Sequence, residues 1–212
     1  IKYNENKGAI DMVQALTKLV TFDEFIAWYP ENSEHRYELH NGVIIEMPKG
    51  TGQHSEVSGF LNIEVGIVCR NARLPYFLPK ECVLKPDRAE SGYEPDIIVL
   101  DRQQVINEPR WAAESIITMG SSVRLAVEVV STNWQTDYLT KLRDYEEMGI
   151  FEYWIVDYLG LGGRRYIGNP KQPTISVYQL VDGEYELTQF RGDDRIESAA
   201  FSELNLTAQQ VF

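Results

Sequence analysis

One acidic residue interrupts an apolar run near the middle of the chain. Residues 124–133 read RLAVEVVSTN, with Glu128 at the centre. The β-branched and small apolar residues around it are typical of a strand that is buried on both faces. An ionised carboxylate in such a strand costs several kcal/mol unless it is paired, protonated or bound to a metal. A fold that buries Glu128 must therefore protonate it or give it a cation as a partner, either a metal ion or a buried Lys or Arg.

The rest of the pattern predicts helices and hairpins around this strand. The capping-box sequence TFDEF predicts a short helix from Thr21 to near Pro30. Apolar residues at helical spacing predict helices over 53–70 and 136–149, and the second is expected to be capped by Thr136 or Asp137 and to end at Gly149. The Asn-Gly and Asp-Gly pairs predict β-hairpins over 36–47 and 175–190.

Short apolar runs predict further strands over 95–101 and 151–157. The segment 76–86 is expected to be a strand interrupted at Pro79. The segment 110–120 has an ambiguous pattern, of which a helical turn is one interpretation. This order indicates an α/β protein with a mixed central sheet flanked by helices and with N-terminal and C-terminal β-hairpins. We expect a single domain over 1–212, with a core at about 20–160 and a hairpin extension at 161–212.

Asp96 is the first candidate partner of Glu128. It begins the strand 95–101, and the period of two puts it on the same face as Ile98 and Leu100. A single Asp at such a place more often makes local hydrogen bonds in a loop. If the two strands are neighbours, however, both carboxylates converge, and carboxylate oxygens completed by water and phosphate are what Mg²⁺ or Mn²⁺ binds.

The helix after the Glu128 strand carries a candidate cation. Tyr138, Lys141 and Tyr145 follow at i, i+3 and i+7 and share one face, while Leu139 and Leu142 are expected in the core. Lys141 could fold back to hold an attacking water, steady a phosphate or neutralise Glu128. The alternative is a solvent-exposed lysine.

Two more residues are candidates with weaker signals. Glu38 lies in the first hairpin and would add a third carboxylate to a metal site, and the alternative is an exposed strand position. His54 begins the helix 53–70, where a histidine is more often a cap or a surface residue than a participant in chemistry.

Composition limits the class of function. The net charge is −12 and the pI about 4.7, which disfavours general nucleic-acid binding because that affinity comes from Lys and Arg neutralising phosphates. No stretch reaches the apolar length of a membrane span, and the first ten residues lack the pattern of a signal peptide. We therefore expect a cytoplasmic protein, with Cys69 and Cys82 as reduced structural thiols.

Several of these segments together resemble a known family. EPDIIVL, LAVEVVSTN and DYLTKLRDYEEMGIFEYWIVD follow one another as in the Uma family, a bacterial branch of the restriction endonuclease-like PD-(D/E)XK nuclease superfamily. YELHNGVIIEM and GQHSEVSGFL match the opening part of the family. The resemblance covers about residues 20–160.

The resemblance implies a restriction endonuclease-like core in which acidic residues bind Mg²⁺ or Mn²⁺. Asp96 and Glu128 take the places of the two motif acids, and Glu38 corresponds to the upstream acid. The superfamily lysine would fall two positions after the second acid, where this chain has a valine, and Lys141 on the next helix fits instead. Tyr145 would position Lys141 or a phosphate. Ser131, in the family's EVxS pattern, would bind a ligand or cap the strand.

The function implied is metal-dependent hydrolysis of DNA phosphodiester bonds. In this interpretation the metal supplies positive charge that the acidic chain lacks, and a basic rim could be added by five residues (Arg36, Lys49, Lys80, Lys85 and Arg88). Two alternatives stay open: a nuclease fold without catalysis that binds or assembles, and a metal-dependent phosphohydrolase of small substrates. A homodimer is expected, because cutting both strands needs two sites and the apolar hairpin 175–190 could supply a symmetric contact.

Overall fold

The computed structural model describes residues 19–30, 35–87 and 89–212. Its α-helices are α1 (Phe22–Trp28), α2 (Gly52–Asn71), α3 (Arg102–Val105), α4 (Trp111–Glu114), α5 (Leu142–Met148), α6 (Arg164–Ile167) and α7 (Ala208–Val211). A 3₁₀ turn spans Gly120–Ser122, and a π-helix, here called the π segment, spans Thr136–Lys141 and runs into α5. The strands are β1 (Arg36–His40), β2 (Val43–Met47), β3 (Tyr76–Phe77), β4 (Val83–Leu84), β5 (Ile97–Asp101), β6 (Ile116–Ile117), β7 (Val123–Val129), β8 (Glu152–Asp157), β9 (Thr174–Val181) and β10 (Glu184–Phe190).

A mixed sheet forms the centre of the fold, in the order β10-β9-β8-β7-β5-β3. The pair β7–β8 is parallel and the other neighbouring pairs in this sheet are antiparallel. The predicted α/β class with a mixed central sheet and flanking helices is confirmed. The C-terminal hairpin joins this sheet as β9 and β10, whereas the N-terminal hairpin β1–β2 and the parallel pair β4–β6 stand outside it.

The register of β5 against β7 brings the two candidate acids together. Ile97 lies opposite Val127 and Ile98 opposite Ala126 in the antiparallel ladder. One step further along the same register, Asp96 faces Glu128. Asp96 and Glu128 therefore lie on neighbouring strands, as their convergence requires.

Each face of the sheet has its own hydrophobic core, as period-two alternation requires. On one face, residues of the central strands such as Val127 and Trp154 pack against α2 and against the C-terminal segment 196–211. On the other, Ala126 and Ile155 pack against the π segment, α5 and α6. The two cysteines are buried, free and divided between these cores, in agreement with the prediction of reduced structural thiols.

Most predicted elements are present, and the differences have local causes. The Thr21–Glu24 capping box, the hairpin turns and the helix end at Gly149 are confirmed. The segment 76–86 divides into β3 and β4, which belong to different sheets, and 110–120 contains both α4 and β6.

Two predictions about the helix after β7 are wrong. Neither Thr136 nor Asp137 caps it, because the helix starts one residue after Gln135 without a side-chain cap and Asp137 turns inward. Leu139 is 51% exposed and does not enter the core, because Tyr138 and Lys141 occupy the inward face. The buried positions of Tyr138, Lys141 and Tyr145 confirm the shared face.

Candidate active site

The centre of the site is a lysine held between two glutamates. Lys141 Nζ donates to Glu38 Oε1 at 3.0 Å and to Glu128 Oε1 at 2.9 Å, and the lysine is only 2% exposed. The exposed alternatives for Lys141 and Glu38 are therefore wrong. Glu38 is fully buried, and its oxygens also accept the backbone N–H of Glu94 and a bond of 2.9 Å from His40 Nε2.

The charges in this cluster decide its protonation. Burial lowers the pKa of Lys141, but the charges of Glu128, Glu38 and Asp137 outweigh burial and raise it above its ordinary value. Burial alone would raise the pKa of Glu38, yet Lys141 and His40 lower it to about 2. Lys141 and Glu38 are thus both charged at neutral pH. The buried Glu–Lys pair, which was the alternative to a metal ion as the partner of Glu128, is present, because Lys141 also bonds Glu128.

Glu128 is the less satisfied of the two glutamates. Its Oε1 accepts the Tyr145 hydroxyl at 3.0 Å as well as Lys141, while Oε2 has no hydrogen bond among the described residues. Burial raises the pKa of Glu128 well above its ordinary value; Lys141 lowers it, and the charges of Asp137 and Asp96 raise it further. The hydrogen-bond partner of the Tyr145 hydroxyl is therefore Glu128.

Asp96 and His54 form the second part of the site. Asp96 Oδ2 accepts the backbone N–H of Val129 at 2.9 Å, and His54 Nε2 lies 3.3 Å from the same oxygen and 3.0 Å from the carbonyl oxygen of Val129. Both neighbours of Nε2 are acceptors, so this nitrogen carries a proton. Burial raises the pKa of Asp96, but the bond and charge of His54 and the bond from Val129 lower it below its ordinary value. The bond to Asp96 in turn raises the pKa of His54.

The structure brings together most of the residues that the sequence singled out. Glu38, Asp96, Glu128, Lys141 and Tyr145 lie in one cluster, and His54 joins it, against the expectation of a cap or surface residue. Ser131 is exposed and makes no hydrogen bond within the described part of the chain.

Sequence reasoning missed two residues of the cluster. Asp137 was assigned only as a cap, although its spacing of four from Lys141 puts both on one helix face and could have revealed it. Arg36, which was placed only in a rim, lies 3.7 Å from Asp96 Oδ1 and 3.4 Å from Glu94 Oε2. No local sequence signal indicated that contact.

The donor set fits a hard divalent cation, although the ligands are not gathered around one point. Carboxylate and carbonyl oxygens are the ligands that Mg²⁺ and Mn²⁺ prefer, and Glu128 Oε2, Asp96 and the Val129 carbonyl supply them. Among the described residues, no three His, Cys, Asp or Glu side chains are already placed to hold one ion. Both described partners of Glu128 bind its Oε1, so Oε2 is left to accept a cation.

The fold is that of a nuclease-like protein. The chain is similar to a solved structure from Anabaena variabilis ATCC 29413 described as "a putative nuclease belonging to DUF820". The TM-score is 0.67 and the identity 22%, over 91% of this chain and 97% of that one. At this identity the structural similarity supports the fold and not the function.

Residues 22–209 match the Uma2 family, described as "Putative restriction endonuclease", and the chain belongs to this family. The match confirms the resemblance seen in the sequence and extends it beyond residue 160 to include the C-terminal hairpin. None of the curated proteins compared with the chain matches it.

Within the described residues, no helix combines the length and the apolar character that a membrane span requires.

Proposed function

We propose that the protein is a metal-dependent endonuclease that hydrolyses DNA phosphodiester bonds. The single observation that carries the proposal is the surplus of buried carboxylates over cations. Glu38, Asp96, Glu128 and Asp137 are buried or nearly so around one buried lysine, Lys141. Buried acids are normally paired, so an imbalance of this kind favours a cation that binds from solution.

The proposed cation is Mg²⁺ or Mn²⁺, and Asp96 and Glu128 would be its ligands. When bound, such an ion lowers the pKa of a water and offsets charge on the phosphate. Glu38 was expected as a third ligand. Its bonds to Lys141, His40 and the backbone of Glu94 instead favour a role in positioning Lys141.

Lys141 would act on the phosphate or on the attacking water. An ammonium has three donors, and two are used by Glu38 and Glu128, which leaves one N–H for an oxygen of the substrate. Its raised pKa keeps it charged, so it would stabilise negative charge that develops on the phosphate. Tyr145 keeps Glu128 oriented throughout, since its hydroxyl donates to the same oxygen as Lys141.

One part of this acidic chain is suited to approach DNA. The stretch 158–181 contains no Asp or Glu but carries Arg164, Arg165 and Lys171, each exposed and without a salt bridge to a described acidic residue. Tyr166 in this stretch stacks on Tyr138 of the π segment at 4.8 Å, and this contact fixes the loop to the helix that carries Lys141.

The loop is held at the site from the other side as well. Tyr158 Oη lies 3.5 Å from Thr51 Oγ1, and Thr51 caps the helix that carries His54. The loop therefore flanks the cluster and offers positive charge to a phosphate backbone. Of the basic rim expected from the sequence, Arg36 lies at the site and the exposed Lys80 pairs with Glu81. Arg88 lies outside the described residues.

The test is cleavage of supercoiled plasmid with Mg²⁺ or Mn²⁺ by the wild type and by Asp96→Ala and Glu128→Ala variants. We expect nicked or linear product from the wild type and a loss of at least about 100-fold in both variants, the scale of removing a group that stabilises the transition state. Glu186→Gln, which removes an exposed carboxylate of β10, is the control and should cut like the wild type. Equal cleavage by all four proteins would refute the proposal.

The second candidate is a nuclease fold that binds DNA or assembles without cutting. The observation that favours it is that Glu128 is already paired with Lys141 and that no three described side chains are placed around one ion. It predicts DNA binding with no product at any metal concentration. Turnover of small phosphate esters with none of plasmid would instead support a phosphohydrolase.

A homodimer and a cytoplasmic location remain proposals. The outer strand of the C-terminal hairpin, β10, lies at the edge of the central sheet, where a second copy could pair with it. Light scattering after size exclusion should give twice the mass of one chain at micromolar concentration, and a monomer would contradict the dimer.

A further inference from the structure

Three aromatic rings form a cluster beside the helix that carries Lys141. Tyr138, in the π segment, stacks on Tyr166 with the ring centroids 4.8 Å apart and the planes at 29°. Trp134 contacts both rings edge to face, at 6.2 Å from Tyr138 and 6.1 Å from Tyr166. Tyr138 is buried, whereas Trp134 and Tyr166 keep part of their surface in solvent. These two outer rings, here called the aromatic platform, are accessible to a ligand.

The backbone around the aromatic platform is held in place. Trp134 packs against Gly163, where an added Cβ would lie only 2.9 Å from the indole ring. A larger residue at that position would displace the ring. The carbonyl oxygen of Tyr166 accepts a hydrogen bond from the side-chain amide of Gln189 in β10. The two rings are therefore oriented before any ligand binds, which reduces the entropy that binding costs.

The charge around the platform is positive, although the net charge of the chain is −12. The two segments that supply its rings, 129–136 and 158–181, contain no Asp or Glu. The second segment carries three exposed basic residues, Arg164, Arg165 and Lys171. The guanidinium of Arg165 lies over the Tyr166 ring at 5.1 Å from its centroid, within the range of a cation–π contact. Aromatic rings and cations thus share one surface.

This combination of groups is suited to nucleotides whose bases are unpaired. In a duplex the base faces are covered by neighbouring bases, whereas in a single strand they can stack on aromatic rings or on Arg guanidinium planes. Lys and Arg beside the rings contact the phosphates of the same strand. We propose that Trp134 and Tyr166 are a stacking platform for unpaired bases, and that the DNA taken by this site is single-stranded. This inference rests on the proposed function and narrows its substrate.

One strand can reach both the platform and the acidic cluster. Tyr138 precedes Lys141 by three residues in the π segment, which corresponds to a rise of about 5 Å. Trp134 follows Val129 by five residues, so their Cα atoms are at most about 18 Å apart. The backbone N–H of Val129 donates to Asp96. A strand whose phosphates are about 3.4 Å or more apart spans this distance with about five nucleotides.

The experiment compares the affinity for fluorescein-labelled oligo(dT) with the affinity for the oligo(dA)·oligo(dT) duplex of the same length. Fluorescence anisotropy is measured in EDTA, so that no metal-dependent cleavage occurs. We expect the wild type to prefer oligo(dT) by at least about tenfold. Trp134→Leu should bind oligo(dT) at least about fivefold more weakly, the scale of losing one base–aromatic stack, and should keep its duplex affinity. Trp134→Phe, which keeps a ring, should retain most of the preference.

Trp111→Leu is the matched control. Trp111 is also partly exposed and contacts an aromatic ring edge to face, that of Phe77 at 5.7 Å. Phe77 pairs with Leu100, at the end of β5 away from Asp96. This variant should bind both DNAs like the wild type.

Tryptophan fluorescence gives a second measurement that a purely structural role of Trp134 would not affect. A base stacked on the indole should quench part of the fluorescence when oligo(dT) is added. Trp134→Phe should lose this quenching while it still binds. Quenching by oligo(dT) that is the same in the wild type and in Trp134→Phe would overturn the inference, and so would a wild type that binds the duplex as tightly as oligo(dT).

Cleavage separates this inference from the proposed function. With Mn²⁺ we expect circular single-stranded DNA to be cut at least about tenfold faster than relaxed plasmid. Faster cleavage of relaxed plasmid would overturn the inference and leave the proposed function intact. Tight binding of oligo(dT) by the wild type with no cleavage of either DNA would refute the proposed function and leave the stacking platform as a binding surface.

Discussion

Replacement of Lys141 by methionine tests the charge balance of the site most directly. Methionine fills a similar volume but removes the ammonium that bonds both Glu38 and Glu128, whose oxygens lie 3.0 and 2.9 Å from Nζ. Breaking a buried ion pair by removing one partner costs about 3–5 kcal/mol. Protonation gives a second route to this size, because keeping a Glu of ordinary pKa neutral at pH 7 costs about 3.7 kcal/mol.

The expected loss can be measured by urea unfolding followed by tryptophan fluorescence. A loss of about 3–5 kcal/mol corresponds to a fall in unfolding temperature of about 6–20 °C for a protein of this size. The slope of the free energy against urea should not change, since the surface exposed on unfolding stays the same. Lys80→Met is the control, because Lys80 is 92% exposed beside Glu81, and its loss should be within about 0.5 kcal/mol.

The pH dependence of the Lys141→Met variant has a definite sign. Without the lysine, both glutamates hold protons in the folded protein to a higher pH than in the unfolded chain. Stability is then lost as pH rises, and the gap to the wild type should narrow from pH 7 towards pH 4. A loss below about 1 kcal/mol at pH 7, or a gap that stays constant towards acid pH, would show that Lys141 does not balance these acids.

Two further predictions concern the neighbouring charges. The pKa of Asp137 is raised to about 7 in the folded protein, above its value in the unfolded chain, so its contribution destabilises the metal-free protein increasingly as pH rises. Asp137→Asn should therefore gain on the wild type by about 2–3 kcal/mol between pH 5 and pH 8 in EDTA, and an unchanged difference in urea unfolding would contradict this. The double variant Arg164→Gln/Arg165→Gln should lower the slope of log affinity for DNA against log salt by about 2, in fluorescence anisotropy without metal. Arg70→Gln/Arg73→Gln, the same charge change at the far end of α2, should lower it by less. Equal slopes for both pairs would contradict a role of the segment 158–181 in DNA binding.

The chemistry of the site was predictable where it follows from strand periodicity. A glutamate in a strand buried on both faces demands a partner wherever the strand lies, and the period of two gave the face on which the partner must be. Asp96 met Glu128 because antiparallel pairing of β5 with β7 was one of few arrangements open to two apolar runs. Lys141 followed from helical spacing, which is also a local property.

The residues that were misjudged depend on contacts between distant segments. Glu38 lies in a hairpin whose polar and apolar residues alternate, and this alternation does not predict which face another segment covers. In the structure the backbone N–H of Glu94 donates to Glu38, and Gly92 forms a β-bridge with Leu39. His54 begins a helix with ordinary capping, and only the packing of α2 on the sheet brings it to Asp96. The π segment has no local signature in the sequence. Asp137 was therefore interpreted as a helix cap, and its inward orientation was not predicted.

The surplus of buried negative charge is itself an argument about function. If these acids served only the fold, Glu128 and Asp137 could be replaced by amides or apolar residues of similar size, and the protein would lose no necessary interaction and avoid the cost of desolvation. The arrangement also differs from an ordinary buried salt bridge, because Glu38 and Lys141 already form one that is balanced in charge. The remaining acids are Glu128, Asp96 and Asp137, and the basic residues near them are His54 and the half-exposed Arg36. A cation from solution would stabilise such a site in proportion to its affinity, so the folded protein should be most stable where the ion is present and least stable where a chelator removes it.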